Sequence, residues 1–378
     1  MSELGNNRIM FVMQTIGHPR DSKRIKMLID AGFEVEAVGF SRNSHIGRNP
    51  DCKVDVIGKI SDGNYFRRIV VLLASLNKLQ RRICKSQIIY VSGFDMLFLT
   101  FVVKKLYKLS FSLIYEIGDI RDIQTKSSIL GQLTRWLDRL LIRHVDLVVA
   151  TSIGYIKGYY NHWLGENPKY HIIENKLEFK FEDQKNTYPV AKKTKITIGY
   201  FGVLRCIRSI EILCMLAKSQ PDDFRVIVAG VFQDESYKRL ITDVPNIKYY
   251  GTYESPNDLQ KLYSDVDIVW ACYPFPADED QNWKWARTNR FYESCYYSTP
   301  MIFLKGSGDE KSILKYEIGM PIQDQNDDQV LDQFSLLNWS NIEKWNKSLK
   351  DVPQSVFVFG AEREEIKDKI KNLCNNQS

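Results

Sequence analysis

The feature that most constrains the fold is a repeated alternation of short apolar stretches with amphipathic ones. Residues 8–14, "RIMFVMQ", predict a buried strand. The loop "TIGHPR" follows, and then a helix that Asp21 or Ser22 caps and Gly32 ends. "EVEAVGF" (34–40) predicts the next strand. A strand, a crossover helix and a second strand form the building unit of a parallel sheet with helices on its faces.

The same pattern runs through both halves of the chain. In the first half, further strands are predicted at "KVDVIG", "SQIIYVSG", "SFSLIYEIGD" and "VDLVVATS", and "NKL" (175–177) ends the series. The polar stretch 180–195 lacks periodicity and predicts a linker. After it, strands are predicted at "ITIGYFG", "FRVIVAG", "NIKYYG", "VDIVWACY" and "PMIFLKG", with helices between them.

This organisation predicts an α/β protein with two Rossmann-like domains, residues 1–185 and 195–350, which bind a ligand in a cleft between them. A last amphipathic helix within 355–378 is expected to pack back on the first domain. Two domains also agree with the length of 378 residues, which exceeds what one ordinary core supports.

Cysteine usage and apolar runs bear on the compartment. The seven cysteines are scattered, and none forms a Cys-x-x-Cys pair, which favours reduced thiols over a disulfide framework or a zinc site. The first residues lack the order of a secretory signal, and "IVVLLASL" is too short to cross a bilayer. We therefore expect a cytoplasmic protein, with peripheral attachment to the inner face of the membrane as a further expectation.

Charge is distributed unevenly along the chain. Residues 1–190 carry 28 Lys and Arg against 19 Asp and Glu, although the whole chain has a net charge of only +6. The excess suggests that the first half meets an anionic partner such as a membrane surface, a lipid phosphate or a nucleic acid. A solvated surface with chance asymmetry is almost as good an explanation of so small an excess.

The segment 64–85, "NYFRRIVVLLASLNKLQRRICK", concentrates part of that charge. Its arginines and lysines flank an apolar middle, so a single helix here could lie on an anionic membrane. The alternative is an ordinary domain helix whose apolar residues are buried in the core.

Three places in the second half combine residues suited to a nucleotide. Gly202 follows a predicted strand, and Arg205 and Arg208 lie just before a helix, an arrangement that suits a diphosphate. A glycine turn with surface arginines is the alternative. Gly251 and Tyr253 follow another strand, and the ring of Tyr253 could stack on a base or simply cover the core.

The third place is "TNRFYESCYYSTPMI" (288–302). Thr288 or Asn289 can cap a helix that starts at Arg290, which places Glu293 in the first turn. A carboxylate there can accept two hydrogen bonds from a vicinal diol such as a ribose. Alternatively, Glu293 only completes a capping box at the start of the helix.

These three features in this order resemble the second domain of nucleotide-sugar glycosyltransferases of the B-type fold, especially the retaining family 4 enzymes. "YYGTYESPNDLQKLYSDVDIVWACYP" and "NRFYESCYYSTPMIFL" carry the resemblance most clearly. The resemblance implies that Glu293 contacts a ribose, with Asn289, Arg290 and Pro300 matching the family pattern. Arg208 stands at the spacing of the family's diphosphate lysine, and Arg205 is the candidate for its arginine.

The first domain resembles the family more loosely. The loop from Gly17 to Arg20 is similar to the family's opening loop, and "LIYEIGDIRD" resembles a strand that ends in His-Asp, with Gly118 and Asp119 at those positions. The resemblance implies that Asp119, Gly17 and Arg20 face the reacting centre. Trp285 stands where the family has the first glutamate of a Glu-x7-Glu motif, which leaves the donor sugar open.

No metal is expected, since Asp265, Asp267 and the acidic run 278–280 read as capping or solvated residues, and the histidines lack ligand spacing. The sequence therefore predicts a retaining transferase that needs no cofactor and uses a nucleotide sugar as its substrate. The expected acceptor is a glycan, lipid-linked, in bacterial surface polysaccharide synthesis, and no nucleic acid is expected as a partner. The alternatives are an epimerase of the same fold and a non-catalytic scaffold at the membrane.

Overall fold

The computed structural model describes residues 7–42, 50–60, 65–178, 194–272 and 281–375, with the side chains of residues 65–69 left out. Almost all of the predicted linker (180–195) and the acidic run 278–280 lie outside these residues. The chain divides into two compact units. Met1–Asn175 and Gly360–Ser378 form the first unit, and Lys176–Phe359 forms the second.

The first unit contains a parallel sheet covered by helices. Its strands are β1 (Arg8–Met13), β2 (Glu34–Arg42), β3 (Lys53–Ile60), β4 (Ile88–Ser92), β5 (Ser112–Ile117), β6 (Leu147–Ala150) and β7 (Tyr170–Ile172). They lie in the order β3-β2-β1-β4-β5-β6-β7. The sheet therefore grows in opposite directions from β1 and β4, and such a switch point is where open α/β sheets bind ligands.

The helices of the first unit are α1 (Pro19–Asp30), α2 (Tyr65–Ala74), α3 (Leu76–Ile83), α4 (Phe94–Leu106), α5 (Asp122–Thr125) and α6 (Ile129–Ile142). A π-helical segment, Tyr155–Leu164, follows β6. The C-terminal helix, Glu362–Asn375, belongs to this unit, where Arg363 pairs with Asp30 and Glu365 with His171.

The second unit repeats the architecture. Its strands are β8 (Ile196–Leu204), β9 (Phe224–Phe232), β10 (Ile247–Gly251), β11 (Ile268–Trp270), β12 (Met301–Leu304) and β13 (Gly319–Ile322). They form a parallel sheet in the order β10-β9-β8-β11-β12-β13, so its switch point lies between β8 and β11.

The helices of the second unit are α7 (Ile207–Ser219), α8 (Glu235–Thr242), α9 (Leu259–Ser264), α10 (Asn282–Trp285), α11 (Asn289–Tyr297), α12 (Glu310–Tyr316), α13 (Asp327–Gln333) and α14 (Trp339–Lys350). The C-terminal helix of the first unit is accordingly α15. Short 3-10 turns at Phe334–Leu336 and Gln354–Val356 complete the described elements. The central strands of both sheets are apolar and mostly buried, as parallel strands covered on both faces require, whereas the edge strands β3, β7 and β10 are more exposed.

Two sequence expectations in the first unit are wrong in detail. Helix α1 begins at Pro19, so neither Asp21 nor Ser22 caps it, because proline is favoured at the first helical position. Strand β7 is not predicted by the sequence pattern, and "NKL" contributes only an isolated bridge from Leu177 to Val358.

The single helix expected over 64–85 is also wrong, because α2 ends at Ala74 and α3 begins at Leu76. Ser75 between them is buried, and its hydroxyl donates to the Val71 carbonyl at 2.7 Å. Leu79 and Ile83 are buried in the core, and Arg82 pairs with Asp55 at 3.1 Å. The inward-facing residues of α3 are thus those of an ordinary domain helix.

Candidate functional site

Arg290 marks the switch point of the second sheet. Its Nε donates to the Phe201 carbonyl of β8 at 2.8 Å. Its Nη1 donates to the carbonyls of Trp270 and Cys272, at the end of β11, at 3.3 and 3.4 Å. A single guanidinium therefore bridges the two strands between which the sheet reverses. These three bonds hold the charge of Arg290 in place at the edge where ligands of such sheets bind.

Gly202 lies beside this guanidinium, within β8 and not after the strand as the sequence pattern predicts. Its φ is +114°, and it pairs with Gly230 of β9, whose φ is +131°. A Cβ at Gly230 would lie 1.8 Å from the Gly202 carbonyl oxygen, so the two backbones meet too closely for a side chain there. A Cβ at Gly202 would lie 3.6 Å from Arg290 Nη2 and 4.0 Å from the Tyr253 hydroxyl. The backbone of Gly202, a cation and a phenol thus converge on one point.

Glu293 lies on the same helix as Arg290. The Tyr263 hydroxyl donates to its Oε2 at 2.8 Å. Burial is the main reason why the pKa of Tyr253 rises to about 12, and the charge of Glu293 adds to the effect. Burial also raises the pKa of Tyr263 well above its ordinary value. Both phenols are therefore protonated donors at neutral pH, and the carboxylate of Glu293 acts electrostatically on both.

Tyr263 is a site residue that the sequence analysis misses. Its ring packs edge-on against Phe201 and is stacked on Tyr297, with centroids 5.5 and 4.8 Å apart. In the sequence it is one aromatic residue in the amphipathic stretch "SPNDLQKLYSD", where a core position is the ordinary interpretation. No local signal reveals a hydroxyl that reaches a carboxylate 30 positions away.

The start of α11 differs from the expectation in one respect. Thr288 caps the helix, with its hydroxyl accepting from the Phe291 N–H at 3.3 Å, and the helix begins at Asn289. Glu293 therefore lies in the second turn and not in the first. The capping-box alternative is also wrong, because the third helical residue is Phe291 and cannot reach back as a glutamate does.

Thr288 itself is buried and held by Asp309. The Thr288 hydroxyl donates to Asp309 Oδ2 at 2.7 Å, and its N–H donates to the same carboxylate. Thr288 thus fixes where α11 begins, while Asn289 is exposed at the first helical position. Trp285, which stands where the sequence resemblance implies a glutamate, is the half-buried last residue of α10.

The two arginines that the sequence analysis assigns to a diphosphate, Arg208 and Arg205, have different surroundings in the structure. Arg208 uses all three of its guanidinium nitrogens within the unit: Nε binds Asp324, Nη1 binds Asp327 and Nη2 binds the Gln325 carbonyl, at 3.1, 2.7 and 3.0 Å. Arg205 is exposed directly after β8. Gly251 ends β10 with φ +101°, and a Cβ there would meet nothing within 4 Å. The structure thus groups Gly202, Tyr253, Arg290 and Glu293, with Arg208 engaged elsewhere.

In the first unit, the candidate residues lie at the carboxyl ends of β1 and β5. Gly17 has φ +82° in the loop before α1. Arg20 Nη1 lies 3.5 Å from Asp119 Oδ2. A Cβ at Gly118 would lie 1.8 Å from the guanidinium carbon of Arg20. The guanidinium of Arg20 therefore occupies the place that a side chain at position 118 would take.

Carboxylates surround Arg20. Burial disfavours the charged form of Arg20. The negative charges of Asp119, Asp21 and Glu116 outweigh this effect and raise the pKa of Arg20. Burial raises the pKa of Asp21 to about 6, although Arg20 and a 2.6 Å hydrogen bond from the Ser92 hydroxyl counteract it.

A buried ion pair between α1 and β5 stabilises this edge of the sheet. Arg24 donates to both oxygens of Glu116 at 2.9 and 3.2 Å, and the Tyr90 hydroxyl donates to Glu116 at 2.5 Å. Burial disfavours the carboxylate, but Arg24 and these hydrogen bonds leave the pKa of Glu116 below its usual range. The pair anchors α1 to β5, and so fixes the base of the loop that carries Gly17 and Arg20.

Two searches of the described residues bear on metals and membranes. Within them, no group of three or more His, Cys, Asp or Glu side chains is arranged to hold a metal ion. Exposed Asp265 is the C-cap residue of α9, and Asp267 accepts from the Thr197 N–H at 2.8 Å, which gives Asp267 a structural role. Over the same ranges, no helix is both long and apolar enough to cross a bilayer.

Known proteins resemble this chain in sequence and in fold. No protein-family model matches it. The succinoglycan biosynthesis protein ExoL of Rhizobium meliloti (strain 1021) is 25% identical over 332 residues, which cover 84% of this chain and 81% of ExoL. Sucrose-phosphate synthase from Thermosynechococcus elongatus is 13% identical with a TM-score of 0.73, over 98% of this chain and 100% of that one.

HepE of Anabaena, solved in complex with UDP-glucose, is 14% identical with a TM-score of 0.66, over 98% of this chain and 99% of that one. The chain therefore has the glycosyltransferase B-type fold, as the sequence predicts, with two parallel-sheet Rossmann-like units. It resembles the family 4 glycosyltransferases and is a distant relative of ExoL.

Proposed function

We propose that this protein is a retaining glycosyltransferase that moves a sugar from a UDP-sugar donor to a glycan acceptor in bacterial surface polysaccharide synthesis. The observation that carries the proposal is the convergence of Gly202, Tyr253 and Arg290 at the switch point of the second sheet. Glu293 follows Arg290 on the same helix. The choice of UDP rests on HepE, which is similar in fold and was solved with UDP-glucose.

Each group has a defined role in this proposal. Arg290 Nη2 and the Tyr253 hydroxyl would donate to the diphosphate as negative charge grows on it, while Gly202 lets a phosphate approach the backbone. Exposed Arg205 would add a second cation. Arg208, which is already paired with two carboxylates, would fix the start of α7 and would not contact the phosphates.

Glu293 would accept hydrogen bonds from the ribose hydroxyls, and Tyr263 would orient it. The first unit would supply Gly17, Arg20 and Asp119 to the acceptor. A departing diphosphate can itself take the proton of the attacking hydroxyl, so the mechanism requires no strong general base. Cationic side chains can neutralise the diphosphate without a metal ion, so we propose a metal-independent reaction.

Binding and turnover test the proposal in sequence. A thermal-shift panel of UDP, GDP, dTDP and their sugars identifies the donor, because a ligand of the folded state raises the melting temperature. The selected donor is then incubated with and without a lipid-linked acceptor, and the anomeric configuration of the product is read by NMR. Inversion at the anomeric carbon, or no stabilisation by any nucleotide, would contradict the proposal.

The same experiment separates the alternatives. An epimerase of this fold converts the donor without an acceptor, and a scaffold that has lost its site leaves the donor unchanged. Glu293→Gln should weaken UDP binding, whereas the matched variant Glu343→Gln should not, because Glu343 is an exposed carboxylate on α14 of the same unit.

A further inference from the structure

Helix α6 of the first unit exposes a continuous apolar face. Its outward residues Ile129, Leu130, Leu133, Trp136 and Leu140 are 87, 60, 56, 58 and 37% exposed. Apart from Leu130 at the margin, they recur at intervals of three and four residues, so they form one stripe along the 14-residue helix. Removing such an apolar stripe from water lowers the free energy. Contiguous exposed apolar patches therefore mark interaction surfaces.

The stripe faces outward because the opposite face of α6 is fixed. Asp138 is fully buried there, and it accepts hydrogen bonds from Gln124 at 2.7 Å and from the hydroxyls of Tyr159 and Tyr160 at 2.9 and 3.2 Å. Gly131 lies on the same side, where a Cβ would be 2.2 Å from the Lys126 carbonyl oxygen. Rotating α6 to hide the stripe would break this network, so the apolar face stays exposed within the unit.

Cations border the stripe. Arg139 and Arg143 follow one edge of it on a helical projection, and Arg135 lies toward the buried face, where its Nη1 donates to the Lys126 carbonyl at 2.6 Å. Arg139 is exposed while its Nε donates to the Leu164 carbonyl at 2.9 Å, and exposed Arg143 forms an ion pair with Glu166, with Nη2 and Oε1 2.5 Å apart. The guanidinium of Arg135 lies 6.0 Å from the ring centroid of Trp163, a second exposed tryptophan. The only acidic residue of α6 is the buried Asp138.

We propose that α6 is an interfacial helix that docks the first unit on an anionic lipid bilayer. An apolar face with leucines and a tryptophan, bordered by arginines, is the composition of helices that lie in the plane of a membrane surface. The apolar stripe would enter the acyl boundary, and the arginines would remain at the level of the lipid phosphates. The proposal places docking on α6 instead of the segment 64–85.

A bilayer explains the edge of arginines better than a second copy of the chain does. In a two-fold symmetric dimer the same patch meets itself, and α6 offers the arginines of a second copy no accessible carboxylate, because its Asp138 is buried. A surface of lipid phosphates instead complements the charge. The docking surface is independent of the transferase activity, and it can be tested without a substrate.

Vesicle flotation of the whole chain tests the proposal. Wild type is expected to float with vesicles of phosphatidylcholine and phosphatidylglycerol in equal parts, and to bind phosphatidylcholine vesicles less. Salt at about 1 M, which shortens the Debye length to about 3 Å, should weaken binding to the anionic vesicles. The variant Ile129→Ser/Leu133→Ser/Trp136→Ser should lower partitioning into vesicles roughly tenfold or more, because each substitution removes a large apolar side chain from the membrane contact.

Two matched variants control for exposed apolar residues in general. Leu314→Ser/Leu336→Ser removes two residues of similar exposure from the second unit, and Val70→Ser/Leu73→Ser removes two from α2. Both should bind vesicles as wild type does. Thermal unfolding of every variant shows whether it is folded. A folded α6 variant that floats like wild type, or an α2 variant that alone loses binding, would overturn the proposal.

Tryptophan fluorescence gives a second measurement that keeps the stripe of α6 apolar. Brominated lipids should quench wild type, and Trp136→Phe should lose a large share of that quenching while it still floats. Sedimentation velocity without lipid tests the alternative that a second copy of the chain covers the stripe. Wild type that ignores both kinds of vesicle, or that forms a dimer which the α6 variant abolishes, would also overturn bilayer docking.

Discussion

The hydrogen bond between Tyr263 and Glu293 permits a quantitative prediction. The phenol is buried and donates at 2.8 Å to a half-buried carboxylate. Tyr263→Phe removes only the hydroxyl, because Phe201 and Tyr297 hold the ring on two sides. Hydrogen bonds to charged groups contribute about 1.5–3 kcal/mol, and we expect about 1.5 kcal/mol because water can still reach Glu293.

A double-mutant cycle isolates this contribution. Tyr263→Phe, Glu293→Gln and the double variant are unfolded in urea, and the coupling energy is the part of the double effect that the single effects do not explain. We expect a coupling energy of about 1–2 kcal/mol, since the bond is charged and partly shielded from solvent. Tyr297→Phe serves as the matched control, because it removes a neighbouring hydroxyl and leaves the stacked ring.

The same variants test the role of Tyr263 in nucleotide binding. If Tyr263 orients Glu293 toward the ribose, Tyr263→Phe should weaken UDP binding roughly three- to tenfold in calorimetry, whereas Glu293→Gln should weaken it further. A coupling energy near zero, or unchanged UDP affinity in a folded Glu293→Gln variant, would refute the assignment of this carboxylate.

Three further perturbations have defined outcomes. Arg208→Ala should lower the free energy of unfolding by about 1 kcal/mol, because its partners are partly exposed, and it should leave UDP affinity unchanged. A tenfold loss of affinity in calorimetry would instead support its predicted diphosphate role. Glu116→Gln should cost about 3–5 kcal/mol in urea unfolding, because Arg24 is left buried without its counter-charge, and a loss below about 1 kcal/mol would contradict this. Burial raises the pKa of Asp21 from 3.8 to about 6, so the folded chain binds that proton more tightly and this group's contribution to stability falls as pH rises between those values. Relative to wild type, Asp21→Asn should therefore gain about 2 kcal/mol between pH 4 and pH 7, and a difference that stays flat with pH would disprove the argument.

Interactions between distant residues limited what the sequence could predict of the site. The pattern of α11 gives Thr288 or Asn289 as the cap, and the structure has Thr288 in that role, since capping depends on neighbours in the chain. It cannot show that Arg290 bonds carbonyls of β8 and β11, because those partners lie 89, 20 and 18 residues away. Arg208 fits a motif spacing, yet its partners Asp324 and Asp327 come from the far end of the unit.

The choice of the helix that docks on a membrane shows the same limit of prediction from sequence. Both α3 and α6 are amphipathic in sequence, and the basic residues of the segment 64–85 are the more conspicuous. Which face of each helix is buried depends on packing. Leu79 and Ile83 of α3 are buried in the core. On α6, Asp138 is buried together with Leu141 and Ile142, and a second apolar stripe is left exposed.

The sequence by itself determined the class of this protein: two parallel α/β units, most strands in their correct places, and a nucleotide-sugar transferase motif in the second. The strands and helices follow from apolar periodicity and local capping, which act between near neighbours, whereas the transferase motif was inferred from resemblance to a known family. Only the tertiary structure decided that Tyr263 joins Glu293, that Arg20 fills the place beside Gly118, and that the apolar face of α6 is exposed. Each of these depends on contacts between residues far apart in the chain, which a one-dimensional pattern does not record.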